Sequence, residues 1–190
     1  MKYISFIKEM IKNPKDTGAI TPSFSRLSKG MIDKVDFSKD INIIEYGPGT
    51  GSFTELIIKK LSSKSNLYII EKNEYFIRIL EKRFSNIDNV YILHEEAFNI
   101  SEIVAFRDIK KIDYFISGIP FTSIPKEVTE KILNNTLDNM GEDTILITFQ
   151  YSNKMVQTFS QYFDIVDTKK VYLNLPPAKI FHMRKKIIKI

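Results

Sequence analysis

Apolar residues along this chain recur at two alternating spacings, one suited to strands and one to helices. Ile41, Ile43 and Ile44 form a short apolar run, expected to be a buried strand ending in Glu45. From Phe53 the apolar positions fall at helical spacing, through Leu56, Ile57 and Leu61. Residues 66–71 read as a second strand, which also ends in an acid, Glu71. A helix starting at Lys72 or Asn73 carries Phe76, Ile77, Leu80 and Phe84. Residues 90–93, 112–116 and 144–149 read as a third, fourth and fifth strand. Helices are expected over 126–140, about 153–162, and 25 to about 35. Two late segments, 164–173 and 179–183, read as strands around Pro176 and Pro177. No long helix separates them, so they are expected to form a hairpin at a sheet edge. Strands alternating with helices predict an α/β fold: a mostly parallel, seven-stranded sheet with an antiparallel C-terminal edge strand and helices on both faces.

The first 13 residues also follow helical spacing. Tyr3, Ile4, Phe6, Ile7, Met10 and Ile11 share one face, Lys2, Ser5, Lys8, Glu9 and Lys12 the other, and Pro14 ends the run. Such a helix either docks on the domain's own core or lies in a membrane interface. Residues 17–23 read as a loop by composition.

The stretch between the first strand and the Phe53 helix carries the first chemical signal. It reads Glu45-Tyr-Gly47-Pro-Gly49-Thr-Gly51-Ser-Phe53. Glycines in a strand-to-helix turn let backbone pass close to a nucleotide-like ligand, and the helix start adds unpaired N–H groups. Dinucleotide binders use G-x-G-x-x-G, and their third glycine position is Ser52 here. An acid two residues before the first glycine suits a cationic ligand with an amino-acid part, as in S-adenosylmethionine. Glu71 follows at a spacing that lets a carboxylate take both ribose hydroxyls. Glu45 to Gly51, Glu71, Glu96 and Ser117 to Phe121 all fall at the carboxyl ends of expected strands, where open parallel sheets bind ligands.

Composition narrows the classes. At 190 residues, with 43% hydrophobic and 27% charged, one ordinary soluble domain over 1–190 is expected. There is no cysteine, which excludes disulfides, thiolate metal sites and cysteine nucleophiles. With two histidines, a multi-histidine metal site is not expected. No apolar run has the length of a membrane span, and the N-terminus has no signal-peptide core. The net charge is +5 and sits at the ends. Residues 1–34 hold seven Lys and Arg against three acids, and 179–190 hold five against none. Basic ends suit an anionic partner, membrane or nucleic acid, or are simply solubilising.

The order of motifs resembles the class I S-adenosylmethionine-dependent methyltransferases, with their Rossmann-like fold, and more specifically the bacterial phospholipid N-methyltransferases. The resemblance covers nearly the whole chain: Phe6 to Pro14, Gly18-Ala-Ile-Thr-Pro-Ser23, the glycine turn, Ser117-Gly-Ile-Pro-Phe121, Phe149-Gln-Tyr151 and Asn174-Leu-Pro-Pro-Ala178. It implies S-adenosylmethionine as cofactor. Glu45 would help hold the methionine ammonium, Gly47, Gly49 and Gly51 would admit the cofactor, and Glu71, with Lys72 beside it, would bind the ribose. Glu96 and Ala97 would face the adenine, where relatives have Asp preceded by Gly and this chain has Glu95-Glu96. Ser117, Gly118, Ile119 and Pro120 would line the methyl-transfer side. Residues 20–23, including Thr21 and Ser23, would close over the cofactor. In that family the first helix is thought to sit on the membrane. Tyr46 and Tyr151 are candidates for hydrogen bonding or cation–π contact with an acceptor amine, or for packing.

Three functions compete. The first is methylation of a phospholipid head-group amine of the phosphatidylethanolamine type, by a cytoplasmic protein peripheral at the inner face of the membrane. The second is modification of RNA, because the rRNA adenine dimethylases share Glu-x-Gly-Pro-Gly and an Ile-Pro-Phe-type loop. Those enzymes place an Asn where this chain has Gly118, and the chain is expected to lack their added helical domain. The third is binding of cofactor or membrane without turnover. No dedicated base is required, because the methyl is already activated on a sulfonium.

Overall fold

A computed structural model describes residues 22–172 and 177–186. The elements run α1 (Pro22–Ile32), β1 (Asn42–Tyr46), α2 (Ser52–Ile58), β2 (Asn66–Glu71), α3 (Glu74–Phe84) and β3 (Val90–His94). Then come α4 (Ile100–Phe106), β4 (Tyr114–Ser117), α5 (Lys126–Asp138), β5 (Ile145–Gln150), α6 (Val156–Tyr162), β6 (Phe163–Val171) and β7 (Ala178–Lys185). Short 3-10 turns precede α4, α5 and α6 at Ala97–Asn99, Phe121–Ser123 and Asn153–Met155.

The seven strands form one sheet in the order β3-β2-β1-β4-β5-β7-β6. Strands β1 to β5 pair in parallel. The antiparallel C-terminal strand is β7, which lies between β5 and β6, so the terminal hairpin forms this edge with β6 outermost. Because β1 leads to β2 and β3 on one side while β4 returns to the other, the chain reverses its direction of travel across the sheet between β1 and β4. Ligands of open α/β sheets bind at that reversal, beyond the carboxyl ends.

Strand side chains alternate between two apolar layers. Ile44, Phe115 and Leu146 face α4, α5 and α6, with Ile100, Ile132 and Phe159 behind them. Ile43, Ile116 and Ile147 face α1, α2 and α3, with Leu27, Ile57 and Leu80 behind them. The helices form because their apolar residues share one stripe: in α3, Phe76, Ile77, Leu80 and Phe84 are buried. The side chain of Asn73 caps α3 by accepting from the Tyr75 amide at 2.9 Å.

Several expected boundaries move. Helix α1 begins at Pro22, so the last two residues of the expected 17–23 loop are helical. Proline suits a first helical position because its missing N–H has no partner there. Strand β1 runs on to Tyr46, whose side chain joins the α5 layer. Helix α4 was not expected from the sequence at all. The expected helix over 1–13, most of the loop before α1 and the Asn174-to-Pro176 part of the C-terminal motif lie outside the described residues.

Candidate functional site

Glycine does two different jobs in the turn after β1. Gly47, Gly49 and Gly51 have φ of +58°, +59° and +85°, the left-handed region that costs L side chains strain. A Cβ on Gly49 would have no atom within 4 Å, so open space lies in front of it. A Cβ on Gly51 would meet Phe84 Cε2 at 2.7 Å and Leu80 Cδ2 at 3.0 Å. Gly51 is therefore small so that α2 can pack on α3. Arg83 of α3 fastens the turn further, donating to the Thr50 carbonyl and pairing with Glu55 at 2.6 Å.

The open space is a cavity of about 260 Å³ beyond the carboxyl ends of β1, β2, β4 and β5. One end is polar: Gly47, Gly49, Glu71, Lys72, Glu96 and Ala97. The other is apolar: Ile119, Pro120, Ile124, Val128, Ile132 and Phe149, with Tyr151 beside them.

Glu71 is the last residue of β2 and is nearly buried at 7% exposure. Its carboxylate accepts from the Asn73 amide at 2.8 Å and the Gly49 amide at 3.3 Å. Burial raises its pKa, and those amide bonds oppose the rise. Lys72 and Glu96 form a pair at 3.6 Å across the mouth. Both are part-exposed, so the pair contributes little to stability.

Glu45 lies behind the turn with no exposure. Thr54 Oγ1 donates to Glu45 Oε2 at 2.7 Å, and Oε1 has no hydrogen-bond partner. Burial raises its pKa to about 8, with Thr54 opposing and Glu71 adding to the rise. An acid sealed with one oxygen unsatisfied is costly unless a cation or donor completes it.

The β4 loop closes the site from the other half of the sheet. The Gly118 amide donates to the Tyr46 carbonyl at 2.8 Å. A Cβ on Gly118 would stand 2.6 Å from the Gly47 carbonyl oxygen, so the two loops meet backbone to backbone. Thr148 donates to the Ser117 carbonyl at 3.2 Å and Gln150 to the Ile119 carbonyl at 3.4 Å, tying the loop to β5.

Most of the expected site residues line the cavity, and four described ones, Glu45, Tyr46, Gly51 and Ser117, do not. Gly47, Gly49, Glu71, Lys72, Glu96, Ala97, Gly118, Ile119, Pro120 and Tyr151 line the cavity. Tyr46 does not: strand alternation turns it into the core, 1% exposed, with its hydroxyl 3.3 Å from Thr136 Oγ1. Burial raises its pKa. Ser117 does not either: it is wholly buried, and its hydroxyl accepts from the Ile119 amide at 3.2 Å, shaping the loop from within. Gly51 serves packing rather than the cavity wall. Thr21 lies outside the described residues, and Ser23 is in the first turn of α1. Sequence reasoning did not single out Thr54, Thr148, Gln150, or the apolar wall of Ile124, Val128 and Ile132. Thr54 was findable, since it follows the last glycine by three positions and returns over the turn.

A model of the family described as ribosomal RNA adenine dimethylase matches residues 25–163. The chain belongs to that family. It is 24% identical over 189 residues to an ornithine lipid N-methyltransferase of Singulisphaera acidiphila, covering 96% of this chain and 95% of the relative. It is 26% identical over 168 residues to a ribosomal RNA small subunit methyltransferase A of Sulfurihydrogenibium, covering 77% of this chain and 61% of the relative. The fold is shared with the N-methyltransferase NodS from Bradyrhizobium japonicum in complex with S-adenosyl-L-homocysteine. That likeness has a TM-score of 0.71 at 10% identity and covers 89% of this chain and 90% of the other. By family and fold this is a class I S-adenosylmethionine-dependent methyltransferase, and S-adenosylmethionine is its cofactor. The residues present fit that molecule: open space before Gly49, a sealed carboxylate oxygen awaiting a partner, and a second carboxylate held at the glycine turn.

Proposed function

We propose that this protein methylates the amine of a lipid head group, phosphatidylethanolamine in type, at a membrane surface. When bound, the cofactor would supply a methyl group activated on a sulfonium: the lone pair of an amine nitrogen attacks that carbon in line, the neutral thioether leaves, and the amine's proton goes to water. The protein's own task is then to bind, align and exclude water.

Glu71, held by two backbone amides, takes the ribose hydroxyls. Glu45 offers its unpartnered oxygen to the methionine ammonium. Glu96 and Ala97 face the adenine, with Lys72 holding Glu96 in place. The acceptor enters past Tyr151 and Pro120, between the Gly118 loop and the apolar wall of α5.

The observation that carries the lipid reading is the contact at Gly118. A reader of an adenine edge needs a side chain there, as the Asn of the dimethylases provides. Here the Gly47 carbonyl occupies the space that its Cβ would need. Polar recognition of a base by that route is blocked, whereas a primary amine needs only to fit. The near end-to-end match to a lipid N-methyltransferase supports the same reading. The family match favours the second reading, methylation of rRNA adenine.

The test is incubation of the full chain with methyl-labelled cofactor and three acceptors: phosphatidylethanolamine vesicles, ornithine lipid vesicles and small-subunit rRNA. Label in lipid extracts is expected, and the two vesicle arms identify the head group. Label in rRNA alone refutes the proposal.

A further inference from the structure

The part of the chain that builds the sheet edge beyond β4 is almost free of acid. Residues 144–190 hold eight Lys and Arg and two acids, Asp164 and Asp167. Asp167 is taken by Lys34, just after α1, at 2.6 Å, and Asp164 stands opposite Arg184 in the β6–β7 register. At the other end of the hairpin Lys169 pairs with Asp33, whereas Lys170 and Lys179 keep no such partner among the described residues. Lys170 and Lys179 lie directly opposite each other across β6 and β7. Among the described residues, no carboxylate pairs with either, and like charges placed so are unfavourable to the fold. Lys154, exposed, stands in the turn between β5 and α6. Tyr172 is 71% exposed at the end of β6, with the Lys170 ammonium 5.9 Å from its ring.

This corner adjoins the cavity. Lys179 is in register with Gln150 at the carboxyl end of β5, between Phe149 and Tyr151 of the cavity wall. An uncompensated cationic corner with an exposed tyrosine beside an apolar entrance matches the chemistry of an anionic bilayer. Lysine stems and a tyrosine ring both settle at the boundary between head groups and acyl chains.

We propose that Lys154, Lys170, Tyr172 and Lys179 form a docking surface for an anionic lipid bilayer, which presents head groups to the cavity beside Tyr151. The proposal rests on the lipid reading above and names the surface that serves it.

The test uses the full chain and a Lys154→Gln, Lys170→Gln, Lys179→Gln triple variant. Cofactor affinity serves as the check that the variant is folded. Each is sedimented with phosphatidylethanolamine vesicles containing phosphatidylglycerol, or containing phosphatidylcholine instead. Each lysine near an anionic surface favours partitioning about fivefold, so the triple variant is expected to bind roughly 100-fold more weakly. Wild-type binding should prefer the anionic vesicles and weaken steeply with salt. Tyr172→Ser should weaken it further with little change in salt dependence. Turnover on vesicles should fall with binding, while turnover on a short-chain, monomeric phosphatidylethanolamine stays at the wild-type level. Equal partitioning of the triple variant and wild type overturns the proposal, as does loss of rRNA binding with vesicle binding intact. If the corner binds vesicles but no lipid amine is methylated, the docking surface stands and the lipid function fails. If the soluble lipid is methylated while the triple variant still partitions normally, the function stands and the docking surface fails.

Discussion

Gly49 and Gly51 sit two residues apart in one turn with similar left-handed backbone, so their alanine variants separate stability from ligand binding. In Gly51→Ala the new Cβ meets Phe84 Cε2 at 2.7 Å and Leu80 Cδ2 at 3.0 Å, with Arg83 Nη1 at 3.3 Å. The left-handed backbone, φ +85°, costs an alanine about 1–2 kcal/mol. Overpacking against a buried ring and a buried leucine adds about 1–3 kcal/mol. The total is about 2–5 kcal/mol, which for a chain of this length lowers Tm by roughly 5–20 °C. In Gly49→Ala only the backbone contribution applies, because nothing stands within 4 Å of the new Cβ. Its Tm should fall by roughly 2–8 °C.

Cofactor affinity should follow the opposite order. The methyl of Gly49→Ala projects into the cavity, where the ligand must approach the backbone, and should raise Kd by at least about tenfold, or 1.4 kcal/mol. The atoms that Gly51→Ala displaces are the ends of side chains on the far side of the turn. Its Kd, measured well below its lowered Tm, should stay within about threefold of wild type. The assays are thermal melts without ligand and calorimetric titration with the cofactor or its demethylated product. If Gly51→Ala loses affinity while keeping its Tm, or Gly49→Ala loses only stability, the division of labour within the turn is wrong.

Three further outcomes follow from the same geometry. Glu45 keeps its proton in the native state up to about 8, against 4.5 when unfolded, so the folded chain binds the extra proton between those values. Stability of the cofactor-free protein should therefore fall as pH rises through that window and level off above it; urea midpoints of Glu45→Gln should show a shallower fall, with cofactor affinity at least about tenfold weaker. His182, buried with neither ring nitrogen hydrogen-bonded, has its pKa lowered by burial and then by Lys34. Its unfolded form takes a proton first, so stability should be lost as pH drops below about 6.5, and His182→Leu should flatten that limb of the urea profile. Gly118→Asn should cut lipid methylation by at least about tenfold without creating rRNA methylation, because moving the Gly47 carbonyl displaces the cofactor turn. Label appearing in rRNA with this variant would contradict the steric account of acceptor choice.

What the sequence revealed of this molecule depended on whether chemistry or packing selected the residue. The residues of β2 and the buried face of α3 were legible because their apolar spacing has one reading at that length. The seven-residue α4 was hidden, since Ile100, Ile103 and Val104 make a single i, i+3, i+4 set, too short to establish a helical period. Glu71 was legible because a carboxylate at a strand end, a fixed distance past a glycine turn, has few structural reasons to exist. The wall of Ile124, Val128 and Ile132 was not, because an apolar residue on a helix reads as core whether its neighbour is a strand or a ligand. Tyr46 was misplaced for a related reason. Ending β1 at Glu45 leaves the next residue in a loop facing the site, while one more residue of strand sends it into the core beside Phe115.

Two carboxylates on the same face of neighbouring strands lie in different surroundings. Glu45 and Glu71 end or nearly end adjacent parallel strands, with Tyr46 in register with Ile70. Glu45 points into the α2 layer, where Thr54 supplies one hydrogen bond and no water can reach the other oxygen. Glu71 sits two residues further toward the carboxyl end, where the amides of Gly49 and Asn73 cradle it at the cavity. A sealed acid is poised to become charged only when a cation arrives; a cradled one can accept hydroxyl donors without such a change. The Gly47–Gly118 backbone contact then fixes the β4 loop against that assembly. On the proposed reading, acceptor choice rests on the β4 loop, on the apolar wall facing it and on what the surrounding surface brings to them. The proposed roles therefore predict that changing the basic corner alters which surface delivers the acceptor and leaves cofactor affinity at the wild-type level.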